Sequence, residues 1–183
     1  MKIYTKIHNA YVFDFDDVLV KTNASIYVKK EGLTVNKLNS REYAQYILKE
    51  DEYFDFIEFR DPSFIESGIP YALFPALRNI NNAIEEQRST SVVYILTARE
   101  KIVRYAIYKF ISSRGISCLP IQNILTVGDN KHVTSAESKK LELQRILDMG
   151  YEITFFDDDI KNIEIANTIS GIKTRYVSDD DNI

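Results

Sequence analysis

The stretch that most restricts the fold is Tyr11-Val12-Phe13-Asp14-Phe15-Asp16-Asp17-Val18-Leu19-Val20. Its first three residues are apolar and bulky, so they read as a buried strand that delivers Asp14 and Asp16 to its carboxyl end. The two-residue period of an extended chain sends those two carboxylates to one side and Asp17 to the other. Buried side by side without a partner, they would cost several kcal/mol. A divalent cation relieves the repulsion, and Mg²⁺ in particular takes hard oxygen ligands and completes its shell with water and phosphate oxygens. Taken alone, the stretch is equally compatible with a solvated acidic turn behind a strand.

The chain has 183 residues, enough for one domain with an inserted subdomain; 45% are apolar and 27% charged, as in an ordinary globular protein. A net charge of −4 argues against affinity built on a generally basic surface. The single cysteine, Cys118, excludes an intramolecular disulfide and disfavours a thiolate zinc site. No apolar run approaches the ~18 residues of a membrane span, and the opening residues lack the apolar region of a signal peptide. A cytoplasmic location is expected, with no membrane association and no obligate protein partner.

Residues 1–9 read as a lead-in with an edge strand at Ile3–Ile7, and the central strand covers 11–15. From Lys21 to Phe74 aromatic and charged residues mix without strand periodicity. The segment 21–74 is read as a small, mainly helical cap insertion packed over the core rather than a second sheet. One helix is expected over Ser40–Leu48, with Ser40 as its N-cap. The core then comprises 1–20 and 75–183. Helices are expected at 75–88, 100–113, 136–149 and 160–169, alternating with strands at 92–96, 124–127, 152–156 and 173–177, before a frayed Asp179-Asp180-Asp181 tail. That rhythm predicts an α/β fold: a doubly wound parallel sheet with its site at the strand carboxyl ends.

Several residues fall at those ends. Thr97 closes an apolar strand, where a threonine is usually a helix cap. Lys139 and Lys140 open the helix before the last acidic strand, and spacing barely separates them. Phe156 is followed by Asp157-Asp158-Asp159, with Asn162 one helical turn further. Three acids could merely cap a helix, but together with Asp14 and Asp16 at another strand end they ask for a cation. Val127-Gly128-Asp129-Asn130 is an alternative acidic strand end, but no acid or amide follows at Val133, and the more ordinary reading is a turn after a strand that carries no chemistry. Glycine-rich nucleotide cradles are absent, and His8 and His132 lie far from any partner motif.

Asp-Phe-Asp-Asp-Val-Leu-Val resembles motif one of the haloacid dehalogenase (HAD) superfamily, and the later motifs follow in the family's order. The resemblance covers residues 10–20 and 91–177. The arrangement also looks like the compact HAD phosphatases common in bacteriophages, though less specifically, and 21–74 occupies the position of a cap inserted after motif one. The resemblance implies that Asp14 is a nucleophile and Asp16 a general acid/base. It implies that Thr97 and the Ala98 N–H bind phosphoryl oxygens, with Lys139 or Lys140 as the motif-three lysine. Ser-Ala-Glu-Ser-Lys favours Lys139. Mg²⁺ would be held by Asp14, Asp16 through its backbone carbonyl, Asp157 and Asp158, with Asn162 standing where the family has its final Asp. The implied activity is Mg²⁺-dependent phosphomonoester hydrolysis through an aspartyl-phosphate. Dehalogenases lack an acid at the position of Asp16, whereas phosphomutases keep it. A binding or regulatory module on the same fold is the rival from another class.

Substrate is read from the insertion. Residues 18–41 are locally basic, through Lys21, Lys29, Lys30, Lys37 and Arg41, whereas 42–66 carry eight acids. A nucleic-acid track would need basic charge continued along a groove. A small phosphorylated substrate such as a nucleotide is therefore expected, with a phosphorylated nucleic-acid end second. Tyr43, Tyr46, Tyr53, Phe54, Phe56 and Phe59 could stack a base, although aromatics at this density more often form a cap's own core.

Overall fold

The computed structural model describes residues 8–130, 132–178 and 180. In chain order its elements are β1 (His8–Phe13), β2 (Val20–Lys21), β3 (Ile26–Lys30), β4 (Leu33–Leu38), α1 (Ser40–Gln45), β5 (Glu52–Asp55), α2 (Pro62–Glu66), β6 (Ile69–Pro70), α3 (Phe74–Glu85), β7 (Val92–Thr97), α4 (Arg104–Ser112), β8 (Ile124–Thr126), α5 (Ser135–Asp148), β9 (Tyr151–Asp157), α6 (Ile160–Ala166) and β10 (Ile172–Tyr176). The expected edge strand at Ile3–Ile7 lies outside the described residues, as do Asp179 and Asp181. Among the described residues no helix is long and apolar enough to cross a membrane.

Parallel strands are covered on both faces, which is why they read as near-continuous apolar runs. Five of them form one sheet, ordered β10-β9-β1-β7-β8 and parallel at every pairing. One face packs Phe13, Val93, Ile95 and Ile124 against Leu77 of α3 and Ile107 and Phe110 of α4. The other packs Val12, Leu96 and Phe155 against Leu143 and Ile146 of α5 and Ile163 and Ala166 of α6. Helices on both faces make the doubly wound α/β fold. The strand order turns back between β1 and β9, so the crevice at their carboxyl ends is the switch point where such sheets place ligands.

The insertion is not mainly helical. Residues 26–55 form a three-stranded antiparallel sheet, ordered β4-β3-β5, and the expected helix is cut to Ser40–Gln45. Its N-cap is Asn39 rather than Ser40: Asn39 and Glu42 each accept the other's backbone N–H in a capping box. The overlooked signal is Glu31-Gly32, two residues with φ of 51° and 80° that join Lys30 to Leu33, as a type I′ hairpin requires. Period-two alternation is absent in β4 because its first five residues are all exposed. At its base, β2 pairs antiparallel with β6, Val20 opposite Pro70 and Lys21 opposite Ile69. The insertion also reaches the sheet's upper edge, where Arg60 pairs with Glu100 at 2.6 Å.

Candidate active site

The central strand ends sooner than its apolar run suggested. Its last ladder contact is the Asp14 N–H donating to the Phe156 carbonyl at 2.9 Å, after which the chain turns and Asp17 takes a left-handed φ of 54°. The strict alternation expected for Asp14, Asp16 and Asp17 therefore does not hold. All three line one cleft of about 1200 Å³, and Asp17, expected to face away, pairs there with Lys21 at 2.6 Å.

At the floor of the cleft Lys139 is 2% exposed and bridges two strand ends, donating to Asp14 Oδ1 at 2.9 Å and to Asp157 Oδ2 at 2.8 Å. The capping box of Thr134 and Glu137 sets the start of α5, which turns Lys139 inward one turn later. Lys140, the other candidate, is half-buried and lies outside the cleft lining. Burial works against the charge of Lys139, but the carboxylates of Asp14 and Asp157 outweigh it and hold the ammonium above its ordinary range. Burial pushes the Asp14 carboxyl well up; Lys139 opposes this, and Asp157 and Asp158 add to it.

Asp157 is fully buried and already satisfied, accepting from Lys139, from Asn162 Nδ2 at 2.9 Å and from the Asp159 N–H at 2.9 Å. Asp158 is half-buried where Asp14 and Asp157 are buried. Burial, then the charges of Asp157 and Asp17, push it to about 7. Asp14, Asp157 and Asp158 each offer an oxygen within 4.8 Å of the others, and these three could hold a metal ion. Two further observations fit an oxygen-seeking cation. One ammonium lies among three carboxylates and pairs with two of them, and the buried Oδ1 of Asn162 has no hydrogen-bond partner among the described residues. Asp159 instead caps α6 through the Lys161 N–H.

Arg99 was not anticipated. It is 2% exposed and grips Asp16 with two parallel bonds, Nε to Oδ2 and Nη2 to Oδ1, both 2.8 Å. The same guanidinium donates to the Phe59 carbonyl at 2.9 Å and lies 4.7 Å from the Phe59 ring centroid. The side chain of Asp16 is thus turned to Arg99 and is not part of the carboxylate triad. Thr97, 1% exposed, accepts the Arg99 N–H on Oγ1 at 3.2 Å, and Ala98 sits at the exposed rim beside it. The loop after β8 props this turn: the Val127 N–H donates to the Thr97 carbonyl and the Gly128 N–H to the Arg99 carbonyl. A Cβ at Gly128 would lie 2.2 Å from the Ala98 carbonyl oxygen, so glycine is required by the close approach. Asp129 is exposed in a turn after β8, as expected, and accepts the Lys101 N–H at 2.8 Å. Its cue for Arg99 in the sequence was position alone: an arginine two residues beyond a strand end whose neighbour strand ends in acids.

No protein-family model and no curated protein matches the chain. Its fold is similar to a chain of a solved structure described as "Structure of the Pnkp1/Rnl/Hen1 RNA repair complex", with a TM-score of 0.55 and 15% identity, over 94% of this chain and 43% of that one. At that identity the likeness speaks for the fold alone, and the chain spans less than half the length of that neighbour.

Proposed function

We propose that the chain is a phosphomonoester hydrolase of the HAD type that uses Mg²⁺ and passes through an aspartyl-phosphate on Asp14, with 21–74 as its cap and 1–20 and 75–183 as its catalytic core. The observation that carries the reading is the bridge from Lys139 to Asp14 and Asp157, with Asp158 beside it and Thr97 on the neighbouring strand end. Asp14 and Asp158 would hold the cation, together with the Asp16 carbonyl; the cation would screen the charge between carboxylate and phosphate. Asp157 serves to fix Lys139 and Asn162.

An Asp14 carboxylate oxygen forms a bond to phosphorus as the bond to the leaving oxygen breaks, and Asp16 supplies that oxygen's proton. Water then gives a proton back to Asp16 and attacks phosphorus, which releases phosphate and restores Asp14. Lys139, the Thr97 hydroxyl and the Ala98 N–H hold the equatorial oxygens as charge redistributes. Both Asp16 oxygens accept from Arg99, so Asp16 takes up and delivers the proton only when one of those two bonds opens.

The test is phosphate release from an aryl phosphate, with and without Mg²⁺, by the wild type and by Asp14→Asn. Mg²⁺-dependent release that falls at least ~10³-fold in Asp14→Asn is expected, since the amide keeps the shape and loses the nucleophile. Turnover by Asp14→Asn within tenfold of wild type would remove Asp14 from that role, and a folded protein with no release would favour a binding module. A phosphorylated nucleic-acid end is the second substrate class.

A further inference from the structure

The insertion's side of the cleft carries a chemistry that phosphate transfer does not use. Its buried core is aliphatic: Ile26, Val28 and Leu38 are at most 4% exposed. Phe54, Phe56 and Phe59 pack against that core without being closed off by it, and the aromatic rings touch edge to face, Tyr43 to Phe54 with centroids 4.8 Å apart, Tyr43 to Phe56 at 5.5 Å and Phe56 to Phe59 at 6.2 Å. All four stay partly accessible, Tyr43 at 37%, and all four line the cleft that holds Asp14 and Asp158. Aromatics recruited only as a core would be closed off like the three aliphatics beneath them. At one end the wall meets the reacting groups, because the guanidinium that grips Asp16 lies against Phe59. Tyr43 looks across to α6: burial, then the charge of Asp159, raises its phenol.

An apolar, π-rich wall beside an acidic, cation-seeking floor sorts ligands by their planar groups. A base stacked on an aromatic face gains about 5- to 150-fold in affinity, and an aliphatic ester gains nothing comparable. Two of the cations at the cleft, Lys21 and Arg60, are already paired with Asp17 and Glu100, so they do not extend a track for successive phosphates. Resting on the phosphatase reading, we propose that this wall, centred on Tyr43 and Phe56, is the leaving-group subsite and takes the base of a nucleoside that carries a terminal phosphomonoester, either free or at the end of a short strand.

The experiment compares adenosine 5′-monophosphate, ribose 5-phosphate and a 5′-phosphorylated dinucleotide as substrates, and measures adenosine binding by NMR without Mg²⁺. Wild type should favour the adenine nucleotide over ribose 5-phosphate at least ~10-fold in kcat/KM. That ratio should fall about tenfold in Tyr43→Ala and return in Tyr43→Phe, which restores the ring. Faster turnover of the dinucleotide assigns the site to strand ends, and faster turnover of the mononucleotide to free nucleotides. Equal turnover of nucleotide and ribose phosphate by wild type, or a ratio unmoved by Tyr43→Ala, overturns the proposal. Adenosine binding that weakens in Tyr43→Ala supports the wall even if no ester is hydrolysed, an outcome that sinks only the phosphatase reading. Adenosine that binds wild type and Tyr43→Ala equally well refutes the wall.

Discussion

Replacing Arg99 by alanine removes a cation that is 2% exposed and makes two 2.8 Å bonds to Asp16 and a third, at 2.9 Å, to the Phe59 carbonyl. Breaking a buried pair by removing one partner costs about 3–5 kcal/mol. The side chain of Asp16 keeps 18% of its exposure, so water takes over part of the lost solvation and the lower end applies, about 3 kcal/mol. In an Asp16→Asn background the charge is gone and one bond to the amide oxygen survives. Arg99→Ala should then cost about 1.5 kcal/mol, since a bond to a charged group contributes ~1.5–3 and a neutral one ~1. The coupling energy is therefore about 1.5 kcal/mol. Urea unfolding of the four proteins, with equal m-values as the check on two-state behaviour, measures it. A coupling below about 0.5 kcal/mol would mean that Arg99 and Asp16 do not act as a pair.

Asp158→Ala should raise the Mg²⁺ concentration needed for turnover at least tenfold, whereas Asp129→Ala should move it less than twofold, roughly as loss of a hard ligand differs from loss of a turn contact; the reverse order would transfer the metal role to the loop after β8. Gly128→Ala drives a Cβ to 2.2 Å from the Ala98 carbonyl oxygen, so the Thr97–Arg99 turn must shift. A loss of about 2 kcal/mol in urea unfolding and of at least tenfold in phosphate release is expected, and unchanged values would show that the turn has slack. Burial, with a smaller push from Glu85, raises the Cys118 thiol from 9.0 to about 11. Its contribution to stability is thus present below pH 9 and lost as pH rises through about 11. Iodoacetamide at pH 8 should label the native thiol about a hundredfold more slowly than the unfolded one, and equal rates would refute the shift.

The parallel sheet was legible because its strands, covered on both faces, leave apolar runs that hardly depend on context. Phe13, Leu96 and Phe155 mark three of them. The insertion was not, because β4 is exposed along its first five residues and carries neither alternation nor an apolar run. Asp14, Thr97 and Asp157 were found because a strand end places a residue without help from tertiary contacts. Lys139 and Lys140 differ by 100° around one helix, and only the docking of α5 turns one of them inward. Arg99 escaped notice because an arginine in a loop reads as solvated until the Phe59 carbonyl and the Asp16 carboxylate arrive from distant parts of the chain. Tyr43, Phe54 and Phe56 could be identified as a cluster, but whether their faces are closed depends on the aliphatic layer beneath.

The position of β1 has a consequence for how the chain is made. Among the described residues it is made before the other four strands of its sheet and ends up in the middle, one side against β7 and the other against β9. Its second neighbour lies at Tyr151–Asp157, and the ammonium that offsets Asp14 lies 125 residues beyond it. Until those segments emerge, the nascent chain displays a bare apolar strand edge, open to pairing with other chains. The charge centre matures at the same late moment, because α5 and β9 bring the counter-ion and the second carboxylate together. A chain stalled or cut before residue 151 is thus expected to be sticky as well as inert.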